Sequence, residues 1–278
     1  MAPGLVAASL EEVYLAARRL FVGPDRARRT RLYCVGIAKS GTHSVAEMFT
    51  RRVRARHEPE ALELIEKILD RHHGRLAEPE WTEWLRARDR RLALEVDSSH
   101  LNLDILDFLL AEFPDARFLL TIRDCYSWLN SMFNQTLQFR GRLDPRWREI
   151  RALRAGPGAW TYAPEERVLE EHELPNLDSH LSRWSSRNGE ALARIPGPRL
   201  LVVRTDQIAA RAFEIADFAG LPRRLVRPRR AHAFRAPVDL DLIRRLDRVF
   251  LESKVQRHCR PLMARFFPDV GSLDAAGL

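Results

Sequence analysis

The sequence predicts an α/β fold, a three-layer sandwich whose central parallel sheet lies between helices, and three observations carry that expectation. Residues 31–38 (RLYCVGIA), 116–122 (ARFLLTI) and 199–203 (RLLVV) are short, near-continuous apolar runs of the kind found in strands buried on both faces. Segments with apolar residues at helical spacing lie between them, as at Val45, Met48, Phe49 and Val53. The first strand runs through a glycine turn straight into a helix, and parallel strands require such crossovers.

In chain order, residues 1–29 read as a short amphipathic helix and a loop through Gly23 and Pro24. The strand at 31–38 and the turn at 39–44 (KSGTHS) follow, then a helix. A short strand near 56–58 precedes helices bearing Leu62, Leu64, Ile65, Ile68 and Leu69, then Trp81, Trp84 and Leu85. A further strand, 92–96 (LALEV), ends in Asp97-Ser-Ser-His100. The helix from 103 to 113 closes at Pro114, and the strand at 116–122 stops at Arg123-Asp124, where a helix with Trp128, Leu129 and Met132 begins. Residues 140–178, rich in proline, glycine and charge, read as a surface insertion and the natural lid; its Trp147, Trp160 and Tyr162 are candidates for an apolar or aromatic pocket. Helix 180–192, strand 199–203, helix 207–219, an arginine-rich loop (223–235) and a long C-terminal helix from about 239 complete the chain. With no internal repeat and no linker, residues 1–278 are expected to form a single domain.

Composition excludes several classes. The 278 residues are 45% hydrophobic and 30% charged, which excludes a disordered or collagen-like chain. No apolar run reaches the roughly 18 residues of a spanning helix, and Glu11, Glu12, Arg18 and Arg19 interrupt what would be the core of a signal peptide, so a cytoplasmic protein is expected. Cys34, Cys125 and Cys259 lack metal or redox spacing and read as reduced thiols, and no metal site is expected. The net charge is +8, and all but three of the 46 basic residues are arginine, spread among acidic residues as in 83–95 (EWLRARDRRLALE). Aromatic residues are 8% of the chain and fall mostly in apolar-periodic segments, so no nucleic-acid surface is expected. A basic chain also suits a small polyanion held in a cleft.

The turn supplies the place. A strand feeding a helix through a glycine turn presents backbone N–H groups to an oxyanion. Gly36 and Gly41 have the spacing of a Walker A loop, but Thr42 and His43 stand where lysine and a magnesium-binding hydroxyl belong, and Lys39 precedes the second glycine by two places. An ordinary nucleotide-hydrolysing loop is therefore disfavoured. Lys39, one of three lysines, is placed to project toward the outer end of a bound anion, with Thr42, His43 and Ser44 offering hydrogen bonds at the helix start.

On these residues the sequence resembles the sulfotransferases that use 3′-phosphoadenosine 5′-phosphosulfate (PAPS), whose signature is a strand followed by a Lys-Ser-Gly-Thr type loop. The second half of the signature is also present: Phe113-Pro-Asp-Ala-Arg117 leads into a strand ending at Arg123, and Ser131 lies eight residues on. The similarity covers about residues 31–135 and, more loosely, 180–222. The resemblance implies a P-loop-like sandwich and a cofactor site formed by Lys39, Ser40, Gly41, Thr42, His43 and Ser44 at the 5′-phosphosulfate and by Arg123 and Ser131 at the 3′-phosphate. It also implies in-line transfer of the sulfuryl group to a hydroxyl or amine of a small-molecule acceptor, with 3′-phosphoadenosine 5′-phosphate (PAP) as product and no metal.

Such chemistry needs a cation on the leaving oxygen and a base at the acceptor. Lys39 matches the first role. His100, in a segment resembling the family's Thr-His-Leu, matches the second, with Glu58 and Glu95 as competing bases. The cytosolic branch has a proline where this chain has Asn102, and its glycine-rich Arg-Lys-Gly segment is absent, leaving Arg229, Arg230 and Arg235 as alternatives for closing the nucleotide site. The arginine-heavy composition and the lack of an anchor fit a bacterial enzyme of secondary metabolism. The competing reading is a P-loop-type small-molecule or nucleotide kinase, with Asp97 as a magnesium ligand.

Overall fold

Period-two alternation along the first and fourth strands sorts the molecule into layers. Tyr33, Val35, Phe118, Leu120 and Ile122 pack on one face of the sheet, and Leu32, Cys34 and Leu119 on the other. The computed structural model describes residues 27–139, 141, 143–232 and 239–278. The expected N-terminal helix lies almost wholly outside them, as does Arg235.

Five strands, β1 (Leu32–Cys34), β2 (Ala55–His57), β3 (Val96–Ser98), β4 (Arg117–Ile122) and β5 (Leu200–Arg204), form an all-parallel sheet in the order β2-β3-β1-β4-β5. Tyr33 stands between Asp97 and Phe118 in register. Eleven helices cover it among the described residues: α1 (Thr42–Glu47), α2 (Ala61–His72), α3 (Glu78–Leu92), α4 (Leu106–Glu112), α5 (Cys125–Phe139), α6 (Pro145–Ala155), α7 (Arg167–Glu171), α8 (Leu177–Arg194), α9 (Ala212–Phe218), α10 (Arg248–His258) and α11 (Arg260–Phe266). Helices α1 and α9 cover one face through Val45, Ala212, Ile215 and Ala216. The rest pack on the other around Leu64, Leu85, Trp128, Trp184 and Leu251. This is the expected α/β three-layer sandwich.

Three expectations are corrected. The strand expected at 92–96 is shifted, because α3 runs to Leu92 and Ala93 ends it with φ 45°. The insertion at 140–178 contains α6 and α7 and buries Ile150, Val168, Leu169 and Leu174 in the main core, so it is built into the fold. The expected long C-terminal helix is two helices meeting at Cys259, with Pro261 in the first turn of the second.

Topology creates the cleft. The chain leaves β1 toward α1 on one face and leaves β4 toward α5 on the other, so adjacent strands send their connections in opposite directions, and a crevice opens at their C-terminal ends.

Candidate active site

The turn after β1 is held from below. Ser40 is fully buried, and its hydroxyl donates to the Ile37 carbonyl (2.7 Å) and lies 3.0 Å from the Thr121 hydroxyl. Its side chain therefore supports the turn and does not line the cleft, unlike the other residues expected there. Gly36 is required by this packing, since a Cβ would lie 2.0 Å from the Thr121 hydroxyl and 2.7 Å from its carbonyl oxygen. Lys39 (φ 69°) and Gly41 (φ 101°) are both left-handed, which coils the backbone of the turn around the mouth of the crevice. The Trp128 indole donates to the Ala38 carbonyl at 2.8 Å, and the Thr205 hydroxyl donates to the Ser40 carbonyl at 2.6 Å. Helix α1 has only six residues, so the turn and its side chains matter more than a helix dipole.

A cavity of about 650 Å³ opens over this turn. Lys39, Gly41, Thr42, His43, Ser44, His100, Arg123 and Ser131 line it, together with Glu58. Two elements far apart in sequence thus meet, for Arg123 Nη1 lies 3.5 Å from the Lys39 carbonyl across the crevice. Arg123 Nε donates to the Ser127 hydroxyl at 3.0 Å, and Ser131 follows one turn later on α5, so the guanidinium and the Ser131 hydroxyl both line the cavity. The Trp184 indole holds the Arg123 carbonyl at 3.0 Å. Burial lowers the pKa of Lys39, the Arg123 charge lowers it further, and Glu58 opposes both.

At the other side, His100 is buried, and its Nδ1 lies 2.7 Å from Glu58 Oε1. Burial pushes the Glu58 carboxyl up, but His100, His57 and Arg154 outweigh this and hold it near 2, so it is ionised. Burial lowers the His100 pKa more than Glu58 raises it, so the neutral imidazole is favoured at neutral pH. A carboxylate can only accept, so Nδ1 carries the proton and Nε2 is left as the basic nitrogen. The Trp147 ring stacks on His100 at 5.6 Å. His57 Nε2 sits 3.1 Å from the Thr42 hydroxyl, and burial brings its pKa down to about 4.

The competing residues lie elsewhere. Glu95 precedes β3, at the opposite end of the sheet, where Arg29 (2.7 Å) and the Arg54 backbone N–H (3.0 Å) hold it. Asp97 is buried against Arg88 (3.3 Å) and Asn102, away from the cavity. Arg230 pairs with Glu47 at 2.8 Å, and Arg229 is exposed; neither lines the cavity. Of the three aromatic residues expected in the insertion, Trp147 alone lines the cavity, while Trp160 is exposed and the Tyr162 hydroxyl donates to the Leu174 carbonyl.

Sequence reasoning missed Arg151 and Arg154 on α6, Arg183 on α8, and Asn130, Asn134 and Asp239, all of which line the cavity. Asn130 and Asn134 donate to the Asp239 carboxylate at 3.1 and 3.0 Å, fixing the chain where it re-enters the site. No sequence signal marks these residues, since the arginines are three among many.

A sulfotransferase-domain family model matches residues 31–207. Among solved structures, the fold is similar to a sulfotransferase from Alicyclobacillus acidocaldarius, with a TM-score of 0.50 and 14% identity over 86% of this chain and 96% of that one. No curated protein sequence matches the chain. The matched segment spans well over half the chain and holds the Lys39 turn, His100, Arg123 and Ser131, so the chain belongs to the sulfotransferase family.

Proposed function

We propose that this protein transfers a sulfuryl group from PAPS to a hydroxyl or amine of a small-molecule acceptor. The observation that carries the reading is the convergence, in one cavity, of the Lys39 turn, the Arg123–Ser131 pair and the His100–Glu58 pair. These residues fit the donor: a half-buried guanidinium beside the Ser131 hydroxyl suits a terminal phosphate, and a left-handed turn with a lysine suits a phosphosulfate.

When bound, the donor supplies the sulfuryl group and leaves as PAP. Arg123 and Ser131 would bind its 3′-phosphate. Backbone N–H groups of the turn, with Thr42, His43 and Ser44, would hold the 5′ end. His100 Nε2 would accept the acceptor's proton as its oxygen or nitrogen bonds to sulfur, and Glu58 would stabilise the resulting imidazolium through Nδ1–H. The Lys39 ammonium would offset the negative charge developing on the leaving phosphate oxygen. The 140–178 segment would serve as the acceptor wall through Leu143 and Trp147. The pairing of Asp97 with Arg88 argues against the kinase alternative, which would use that carboxylate for magnesium.

The test is calorimetric titration of PAP in EDTA, with adenosine 5′-phosphate and ATP as controls. Micromolar binding that requires the 3′-phosphate is expected. Binding of ATP alone, dependent on magnesium, would overturn the assignment. No helix of the described residues is long and apolar enough to cross a membrane.

A further inference from the structure

Helix α6 carries Trp147, Arg151 and Arg154 at spacings of four and three, which puts them on one face, and all three line the cavity. Trp147 stacks on His100, so the two arginines follow the proposed base along the helix. Arg183 reaches the same place from α8.

Their charges are unevenly compensated. Asp104 takes Arg154 (2.5 Å) and Arg187 (3.1 Å). Arg151 Nη1 is buried and has no hydrogen-bond partner among the described residues. The Arg183 pKa is brought down to about 9, first by burial and then by Arg154, with Asp104 opposing and Arg187 and Arg151 adding to the lowering. Half-buried guanidinium groups crowded together are costly unless anions offset them, and here Glu58 at Arg151 and Asp104 at Arg183 offset that cost only in part. These arginines belong to the acceptor side. Arg154 and Arg151 interact electrostatically with Glu58, and Arg154 with His100, whereas the charges acting on Arg123 and Lys39 do not include them.

We propose that Arg151 and Arg183, with Arg154, form a subsite for an anionic group on the acceptor, a carboxylate or a phosphate, so that the substrate is a hydroxylated or aminated acid and not a neutral alcohol. This rests on the PAPS reading of the same cavity. At 1.5 Å of rise per residue, Arg151 and Arg154 lie about 6–10 Å along α6 from Trp147, which sets the separation between the sulfated group and the anion.

The test uses protein saturated with PAP, titrated by calorimetry with 4-hydroxyphenylacetate and with its methyl ester, in the wild type and in Arg151→Gln and Arg183→Gln. The acid should bind at least about tenfold more tightly than the ester, and each glutamine variant should remove that preference while leaving PAP affinity unchanged. Arg183→Lys should restore part of it. Equal binding of acid and ester, no binding of either, or loss of PAP affinity in the glutamine variants would overturn the subsite, the last by assigning these arginines to the donor. If PAP itself fails to bind, the donor reading falls, and the acid-over-ester preference measured on nucleotide-free protein still decides the subsite.

Discussion

His100 donates a 2.7 Å hydrogen bond from Nδ1 to Oε1 of Glu58, and the two residues leave the C-terminal ends of neighbouring strands β3 and β2. Strand pairing therefore fixes the imidazole's tautomer. The sequence offered His100 and Glu58 as rivals for one role, whereas their direct hydrogen bond supports the proposal that one is the base and the other its orienting partner.

The pair gives a signed pH dependence. With the His100 pKa lowered by burial, activity should be lost as pH falls below the ordinary histidine value of about 6.5. Glu58→Gln removes a charge that raises that pKa, so the acid limb of kcat/KM should move to lower pH, with kcat reduced about tenfold to a hundredfold. An unmoved limb, or one displaced upward, would contradict the coupling.

Lys39→Ala should lower kcat by about a hundredfold or more while PAP affinity changes much less, because the ammonium acts on charge that develops during transfer. Single-turnover rates and PAP titrations separate the two effects. Equal losses in both would make Lys39 a binding residue only.

Arg123→Ala should do the reverse, weakening PAP by about 2–4 kcal/mol, as expected for loss of a charge-assisted contact to a phosphate. Adenosine 5′-phosphate, which lacks the 3′-phosphate, should bind the variant and the wild type alike. A matching loss for both nucleotides would place Arg123 elsewhere on the ligand.

Much of this site was legible because its parts are local in sequence. A strand, a glycine turn and a helix define the Lys39 loop within residues 31–47, and the spacing of Arg123 and Ser131 needs only one strand end and two helical turns. Ser40 was misjudged because spacing does not reveal which way a turn residue faces; its hydroxyl bonds Ile37 and Thr121 beneath the loop. Arg151 and Arg183 were invisible for another reason. They meet only when α6 packs on α8, and in a chain with 46 basic residues no single arginine stands out. The strand expected at 92–96 was misplaced because Leu92 and Leu94 are more apolar than Asp97 and Ser98, which pair in β3, and a left-handed Ala93 decides the boundary.

Gly36 tests the scaffold apart from the chemistry. A methyl group there would meet Thr121 and Ser40 at 2.0 and 2.4 Å, so Gly36→Ala should cost about 1–3 kcal/mol of stability through overpacking. It should also disturb the turn above. Thermal melting and PAP titration should both decline, and an unchanged melting temperature would show that β4 can yield.

His180 tests the core. It is buried edge-on to Trp128 and Phe133, with Nε2 lacking a hydrogen bond among the described residues, and burial with the nearby Arg183 charge brings its pKa down to about 3. Below about pH 6.5 the unfolded chain gains a proton that the folded chain refuses until near pH 3, so stability should fall across that window, by about 2 kcal/mol at pH 5. His57, with a pKa of about 4, acts in the same direction, while Glu58 and Glu95, both near 2, contribute only below their ordinary value of 4.5. His180→Leu should therefore flatten the decline between pH 7 and pH 5 without abolishing the steeper loss below it. Urea midpoints at pH 7 and pH 5 measure this, and an undiminished pH 5 loss in the variant would show that the proton is taken up elsewhere.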